Sequence, residues 1–524
     1  MTDRIRLHYL MHVELADAEA LAEKILIEQS VETPLDVLSD DIKEKILGRI
    51  ELLEELSDRA GYCRVVFSFS AANVGESFNQ LLNLCFGNVS MYPGVRLLDI
   101  ELPESVLSHF QGPRFGIQGV RQALGVYQRP LLATALKPKG ESDAYFADLA
   151  YAFASGGGDI IKDDQNLIAN FSAFQSRTTA CQQALQRAAD DSASRCLYFP
   201  YIASKYEELE RHFAWLKELG LKGVLLSPLI MGLDHARGLA QQYDLIYMAH
   251  PAFSGSFSIQ ASHGMSAELL YGYLYRLAGV DISVFPNAGG RFSFSQLETA
   301  AISQRLRAPL TGIAAALPCP AGGMTYADLP DMGLTYGADS VFLLGGSLLQ
   351  HNADSKKSTA DFKAKILEQF DEELVAQEKS VKAVSSCEIG DSAAQAFLEY
   401  LPAVDFDWQD RPAILYKKDQ TLPFSGVKRV ELIGKQDEAC CFDLRYFEIE
   451  AGGYSSLERH QHSHIIIGAR GRGKVLVAEE NYYLSAHDVI YIKPNTAHQI
   501  HNHEDKPLGF YCIVDRNRDQ AESI

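Results

Sequence analysis

The run Ser155-Gly-Gly-Gly-Asp-Ile-Ile-Lys162-Asp163-Asp164-Gln165-Asn166 sets a lysine and two carboxylates directly after an apolar stretch. Carboxylate oxygens are what a hard cation such as Mg2+ selects. Taken alone the run also reads as a solvated turn. Lys137 and Lys139 stand two apart, so on one strand they face the same side. Two neighbouring ammonium groups depress the pKa of one of them, which makes a usable general base. Surface lysines snorkelling into water are the other reading. Gly322-Gly323 and Gly345-Gly346 let backbone N–H groups approach a phosphate without side-chain obstruction, or simply make tight turns. Far along the chain, Glu458, His460, His462 and His464 recur at period two, followed by His498. Three histidines on one strand face suit a bound metal, and a metal-free binding barrel is the alternative.

The elements that hold these residues follow from apolar rhythm. Between 131 and 346, apolar strands alternate with helical stretches. The strands are predicted at 131–139, 159–165, 196–202, 222–228, 245–250, 282–287, 314–323 and 340–346. Helices are predicted at 141–154, 175–189, 204–219, 234–242, 264–278, 294–307 and 325–335. Eight strands with helical crossovers predict a parallel (β/α)8 barrel. Lys137, Lys139, Lys162, Asp163, Asp164, His250, Asn287 and both glycine pairs then gather at the strands' C-terminal ends, where such barrels place their sites. Residues 1–125 mix strand and helix signals and predict a small α+β domain. From about 412, short strands and turns predict an all-β barrel. The expected organisation is 1–125, a barrel over 126–385, a linker at 386–410 and a β domain over 411–524.

Composition bounds the partners. The chain has 524 residues, 47% hydrophobic and 22% charged, with a formal net charge of −20. That balance argues against nucleic acid and anionic membranes as partners. Nine cysteines without a CxxC pattern, including the adjacent Cys440 and Cys441, fit a reducing, cytoplasmic setting. No apolar run reaches the roughly 18 residues of a membrane helix.

Phe110-Gln-Gly-Pro-Arg-Phe-Gly-Ile-Gln, Leu136-Lys-Pro-Lys139, the Lys162 run and the glycine pairs together resemble the RuBisCO large-subunit superfamily, from about residue 10 to about 380. The resemblance implies an α+β ferredoxin-like N-terminal domain ahead of the TIM barrel. It implies that Lys162 is a carbamylated metal-binding lysine and Asp164 a ligand to Mg2+. It makes Lys137 the general base, Lys139 its neighbour and His250 the first histidine of a fifth-strand motif. Gly322, Gly323, Gly345 and Gly346 would hold one phosphate. Glu28, Thr33 and Asn88 would complete the site across a homodimer. Departures matter equally. Gln165 replaces a metal-binding carboxylate, though its amide still offers an oxygen. Pro251 and Ser254 stand where the family has arginine and a second histidine. The second-phosphate histidine and the mobile-loop lysine are missing from 282–300. The pattern is that of a RuBisCO-like protein of the form IV type, with a monophosphate substrate, enolisation kept and carboxylation lost.

Gly452 to Ile467 and Asp488 to Asn502 resemble the two motifs of a cupin domain. By that resemblance Glu458, His460, His464 and His498 are ligands to Mn, Fe, Ni or Zn, with His462 a rival to His464. One branch of RuBisCO-like proteins isomerises 5-methylthioribulose 1-phosphate in methionine salvage, and a cupin then cleaves the thioether of its product. The fusion therefore implies an isomerase carrying a following methylthio-xylulose 5-phosphate methylsulfurylase step. The alternatives are a decarboxylase or hydrolase of a 3-oxo sugar-acid phosphate, and a cupin that senses sugar phosphate and regulates the barrel.

Overall fold

The computed structural model describes residues 3–370 except 58, 168–169, 193–194, 291 and 293, and then 403–404, 406–408, 413–415, 423–433, 442–478, 480–515 and 522–523. The chain divides into two compact units, 1–372 and 373–524. The expected linker at 386–410 lies almost wholly outside the described residues, as do Cys440 and Cys441.

In the first unit, Arg4–His12 pairs antiparallel with both Tyr62–Ser70 and Val95–Glu101, and Arg49–Glu55 extends the sheet beyond Tyr62–Ser70. Alternation drives this. Ile5, Leu7, Tyr9 and Met11 are fully buried, and each points to the same face of its strand. Helix Leu15–Glu28 lays Ala18, Ala22 and Ile25 on the core at helical spacing. The fifth strand is a departure from expectation. Gly264–Met265, inside a stretch predicted to be helical, pairs in parallel with Val95–Glu101. The helical signal of that stretch is met only afterwards, by a π-helix over Glu268–Leu274.

All eight barrel strands form where the apolar runs lie. They are Leu131–Leu136, Ile160–Asp163, Leu197–Phe199, Gly223–Leu226, Ile246–Ala249, Ile282–Pro286, Leu317–Ala321 and Val341–Leu343. Most are near-continuously apolar because a parallel sheet is covered on both faces, and Ile160–Asp163 departs from this in ending on a lysine and an aspartate. Parallel pairing runs through the eight, and a bridge between Tyr201 and Leu225 joins the third strand to the fourth and closes the circle. Inside, Ala133, Ile160, Leu225, Met248, Val284 and Cys319 form one buried cluster with helix Gly116–Leu124. Asp281 ties that helix down, accepting from the Phe115 and Gly116 amides at 2.8 and 2.7 Å.

The second unit is an antiparallel sheet built around Phe442–Tyr454, which pairs with Ser425–Ile433, Leu508–Asp515 and His498–His501. His464–Arg470 continues it beyond Leu508–Asp515, and Arg472–Val477 beyond His498–His501. Phe447, Ile449, Ile466, Val475, Ile500 and Phe510 form its interior.

Candidate active site and metal centre

At the C-terminal ends of the barrel strands lies a cavity of about 660 Å³. Lys137, Lys162, Asp164, Gln165, His250, Gly322, Gly323, Gly345 and Gly346 all line it. Strand two ends in this site because its last residues divide their labour. Asp163 turns into the protein, where it accepts from Arg177 at 2.9 Å, from the Tyr198 hydroxyl at 2.6 Å and from the Tyr201 amide at 3.1 Å. Asp164 faces the cavity, with Lys137 Nζ 3.1 Å from its Oδ2 and the Asn166 amide 3.0 Å from its Oδ1. Lys162 is 3% exposed and donates to the Asp163 carbonyl at 2.9 Å.

Electrostatics follow from this burial. Desolvation, reinforced by Lys137 against the pull of Asp164, lowers the Lys162 pKa to about 8. Burial raises that of Asp164, but the Asn166 amide and Lys137 outweigh it and the net shift is downward. Burial and then Lys162 push His250 down to about 3. Its Nδ1 lies 3.1 Å from the Ala252 amide, so Nδ1 accepts and Nε2 carries the proton of the neutral ring.

Gly322 and Gly323 have φ of +94° and +85°, a region that L side chains rarely adopt. A Cβ on Gly322 or Gly346 would meet nothing within 4 Å, so their backbone is open to a ligand. Four expected members stand apart. The first strand ends at Leu136, so strand alternation does not carry Lys139 to the side of Lys137. Lys139 is exposed and lines no part of the cavity. Glu28 and Asn88 are bonded to each other at 2.7 Å and line a separate cavity of about 330 Å³ in the N-terminal region. Asn287 accepts from the Tyr336 hydroxyl instead of facing the mouth.

The apolar part of the mouth's lining escaped sequence reasoning. It is made by Phe253, Ile259, Tyr271, Phe292, Phe294 and Met324. Phe253, Ile259 and Phe292 are 66%, 60% and 50% exposed, which is costly for large apolar side chains. Ser254 is buried, its hydroxyl 2.6 Å from that of Tyr271. The available signal was the aromatic density of 253–257 and 292–294.

In the second unit, ring nitrogens of His460, His464 and His498 lie within 4.8 Å of one another, and all three residues are buried. His460 Nδ1 bonds the His462 carbonyl at 3.2 Å, and His498 Nδ1 bonds the Thr496 carbonyl at 2.9 Å. His460 Nε2 is buried with no hydrogen-bond partner, which fits a missing ligand bond to a metal. Burial, with His462 and His498 adding to it, lowers His460 to about 4. Burial and His498 lower His464 as well. Neutral imidazole is the form that binds metal. His462 stacks on His460 at 3.8 Å and its Nε2 is 3.1 Å from that of His464, outside the triad. Glu458 Oε1 is 3.9 Å from His460 Nε2. The period-two expectation fails in detail. Strand Glu458–Arg459 stops before His460, and His464 opens a new strand, so a loop brings the rings together.

Residues 116–378 match the family described as ribulose bisphosphate carboxylase large chain, catalytic domain, and residues 445–514 match the cupin domain. The chain belongs to the RuBisCO large-chain family. The RuBisCO-like part is 34% identical to the 5-methylthioribulose-1-phosphate isomerase of Rhodospirillum rubrum over 371 residues, covering 70% of this chain and 97% of that protein. It is 33% identical to the 2,3-diketo-5-methylthiopentyl-1-phosphate enolase of Geobacillus thermodenitrificans over 359 residues, covering 66% and 87%. The crystal structure of a RuBisCO-like protein from Rhodopseudomonas palustris superposes with a TM-score of 0.64 at 34% identity, covering 70% of this chain and 99% of that one. The RuBisCO-like unit thus joins an α+β sheet to a parallel barrel, and the cupin unit carries a histidine triad. No helix among the described residues is long and apolar enough to cross a membrane.

Proposed function

We propose that the RuBisCO-like unit is an enolising isomerase of a sugar monophosphate, acting on 5-methylthioribulose 1-phosphate. One observation carries the reading. Lys162, Asp164, Lys137 and the two glycine pairs share a single cavity that Phe253, Ile259, Tyr271, Phe292, Phe294 and Met324 also line. The glycines suit a phosphate and the apolar side chains an uncharged thioether.

Lys162, Asp164 and Gln165 would hold Mg2+, the donor set being oxygen-rich once Lys162 is carbamylated. The lowered pKa favours that modification, since a neutral amine attacks CO2 at carbon and releases one proton. When bound, the ion supplies Lewis acidity that stabilises an enediolate. Lys137, placed against Asp164, would take the proton from the carbon next to the carbonyl and return it to the former carbonyl carbon, and a second such transfer would carry the carbonyl on to the carbon beside the methylthio-bearing one. Neutral His250 would donate a hydrogen bond from Nε2 to a substrate oxygen. Gly322, Gly323, Gly345 and Gly346 would bind the phosphate through backbone amides.

Glu28 and Asn88 lie in a cavity apart from this mouth, which supports a homodimer in which they complete the partner's site. The cupin unit, with Mn, Fe, Ni or Zn held by His460, His464 and His498 and with Glu458 beside them, would carry the next step. It would remove the methylthio group from the 1-methylthio-xylulose 5-phosphate product. Replacing that C–S bond by C–H takes two electrons, which a thiol reductant supplies.

Proton exchange in D2O tests the isomerase. The full chain should wash deuterium into substrate carbon, and Lys162→Ala should abolish the exchange. Exchange that survives in Lys162→Ala removes that residue from the mechanism.

A further inference from the structure

The cupin unit buries a cation that the metal centre does not use. Along Phe442–Tyr454, residues 443, 445, 447 and 449 point to one face. Phe447 and Ile449 lie in the interior cluster, so Arg445 faces inward as well. It is 8% exposed. Its guanidinium NH2 lies 3.5 Å from Cys512 Sγ, and that sulfur lies 3.4 Å from His464 Nδ1. The guanidinium therefore stands one side chain away from the triad. The Phe447 ring is 5.2 Å from its central carbon.

Among the described residues no carboxylate pairs with Arg445, and its Nε has no hydrogen-bond partner. Asp443, two residues away on the same face, forms no ion pair with it and has interactions of its own. The imidazoles bring no negative charge, and a divalent ion among them would add positive charge. Buried charges are as a rule paired, because an unpaired one is costly, so a buried guanidinium without a carboxylate calls for an anion. Arginine is the side chain whose planar fork matches an oxyanion through two parallel bonds.

We propose that the cupin unit binds an oxyanion, the phosphate or carboxylate group of a small metabolite, on Arg445 beside the histidine triad. The inference rests on the metal reading for what the triad does, but the contact with Arg445 stands without it. The ligand is then held at two points, its anionic end on the guanidinium and its oxygen-bearing carbons toward the triad. That sets the distance between anion and reacting carbon, which selects among sugar phosphates by length.

Equilibrium dialysis of the full chain against labelled inorganic phosphate, and separately against acetate, tests this. Metal content and circular dichroism are measured on the same samples. Wild type should hold one equivalent of anion in excess of the barrel's. Arg445→Met and Arg445→Gln should each weaken that equivalent by about tenfold or more, the size of a lost charge-assisted pair. Arg445→Lys should keep most of it. Either substitution decides the matter if the other fails to fold. Acetate bound as well as phosphate assigns a carboxylate ligand, and phosphate alone assigns a phosphate ester. Anion binding that is unchanged in the Met and Gln variants overturns the proposal. A wild-type chain that takes up no transition metal overturns the metal reading instead, and the Arg445-dependent equivalent still decides this one.

Discussion

Lys137 Nζ stands 3.1 Å from Asp164 Oδ2, so the candidate base and the candidate metal ligand are held as an ion pair in one cavity. The pair positions the amine, and it also sets a competition. A cation arriving at Asp164 displaces the ammonium and leaves it free to work on substrate.

That competition predicts opposite effects from one substitution. Lys137→Met should cut deuterium exchange into substrate by 10²-fold or more, in the range of a lost general base. Magnesium affinity should hold or improve, because Asp164 loses a competing cation. Exchange kinetics and a magnesium titration of the same variant check both. Weakened metal binding would show that Lys137 supports the ion instead of competing with it.

The two adjacent aspartates should separate cleanly. Asp163→Ala leaves Arg177 buried without its carboxylate and should cost about 3–5 kcal/mol of stability. Asp164→Ala should leave thermal stability nearly unchanged and abolish exchange. Chemical denaturation beside activity measures this, and equal destabilisation by both would erase the distinction.

Asp281 supplies a pH signature. Burial, partly offset by the Tyr247, Gly116 and Phe115 amides, raises its pKa from 3.8 to about 6. A raised carboxyl favours folding while protonated. Its contribution is complete below about 4 and is lost as pH rises through 6. Against Asp281→Asn, which does not titrate, wild type should therefore lose relative stability on the order of 2 kcal/mol between pH 4 and pH 6.5. Urea midpoints at the two pH values read it, and a difference that grows with pH would contradict the sign.

In the cupin unit, His464→Ala should remove most bound transition metal, while His462→Ala should leave at least half. Elemental analysis of purified variants decides between the two rings. Greater loss from His462→Ala would move that ring into the triad.

Subunit sharing is tested by mixing. Glu28→Gln and Lys162→Ala chains, each inactive alone, should regain about a quarter of wild-type exchange when refolded together, since mixed dimers contain one intact site. No recovery would place Glu28 outside the site.

Much of this was legible in the residues. Apolar runs marked the barrel strands, because a strand buried on both faces has few polar positions to spare. Their C-terminal ends marked Lys162, Asp164, His250 and the glycines. What stayed hidden was set by tertiary partners. Asp163 and Asp164 are chemically identical neighbours, and only Arg177 and Tyr198 claim the first of them. The period-two histidines suggested one strand, yet the chain breaks at His460 and the rings meet across a loop. Arg445 was one arginine among many until its strand was seen to face it inward. The apolar wall of the mouth comes from segments with no strand or helix rhythm to flag it.

The two-residue strand Gly264–Met265 works as a splice. It pins to Val95–Glu101, while Arg96 reaches the Gln260 carbonyl at 2.6 Å and Arg305 meets Asp99 at 2.8 Å. Phe253 and Ile259 hang on the span between that splice and His250. The hydrophobic side of the mouth is therefore anchored at both ends, to the barrel through His250 and to the N-terminal sheet through Gly264–Met265.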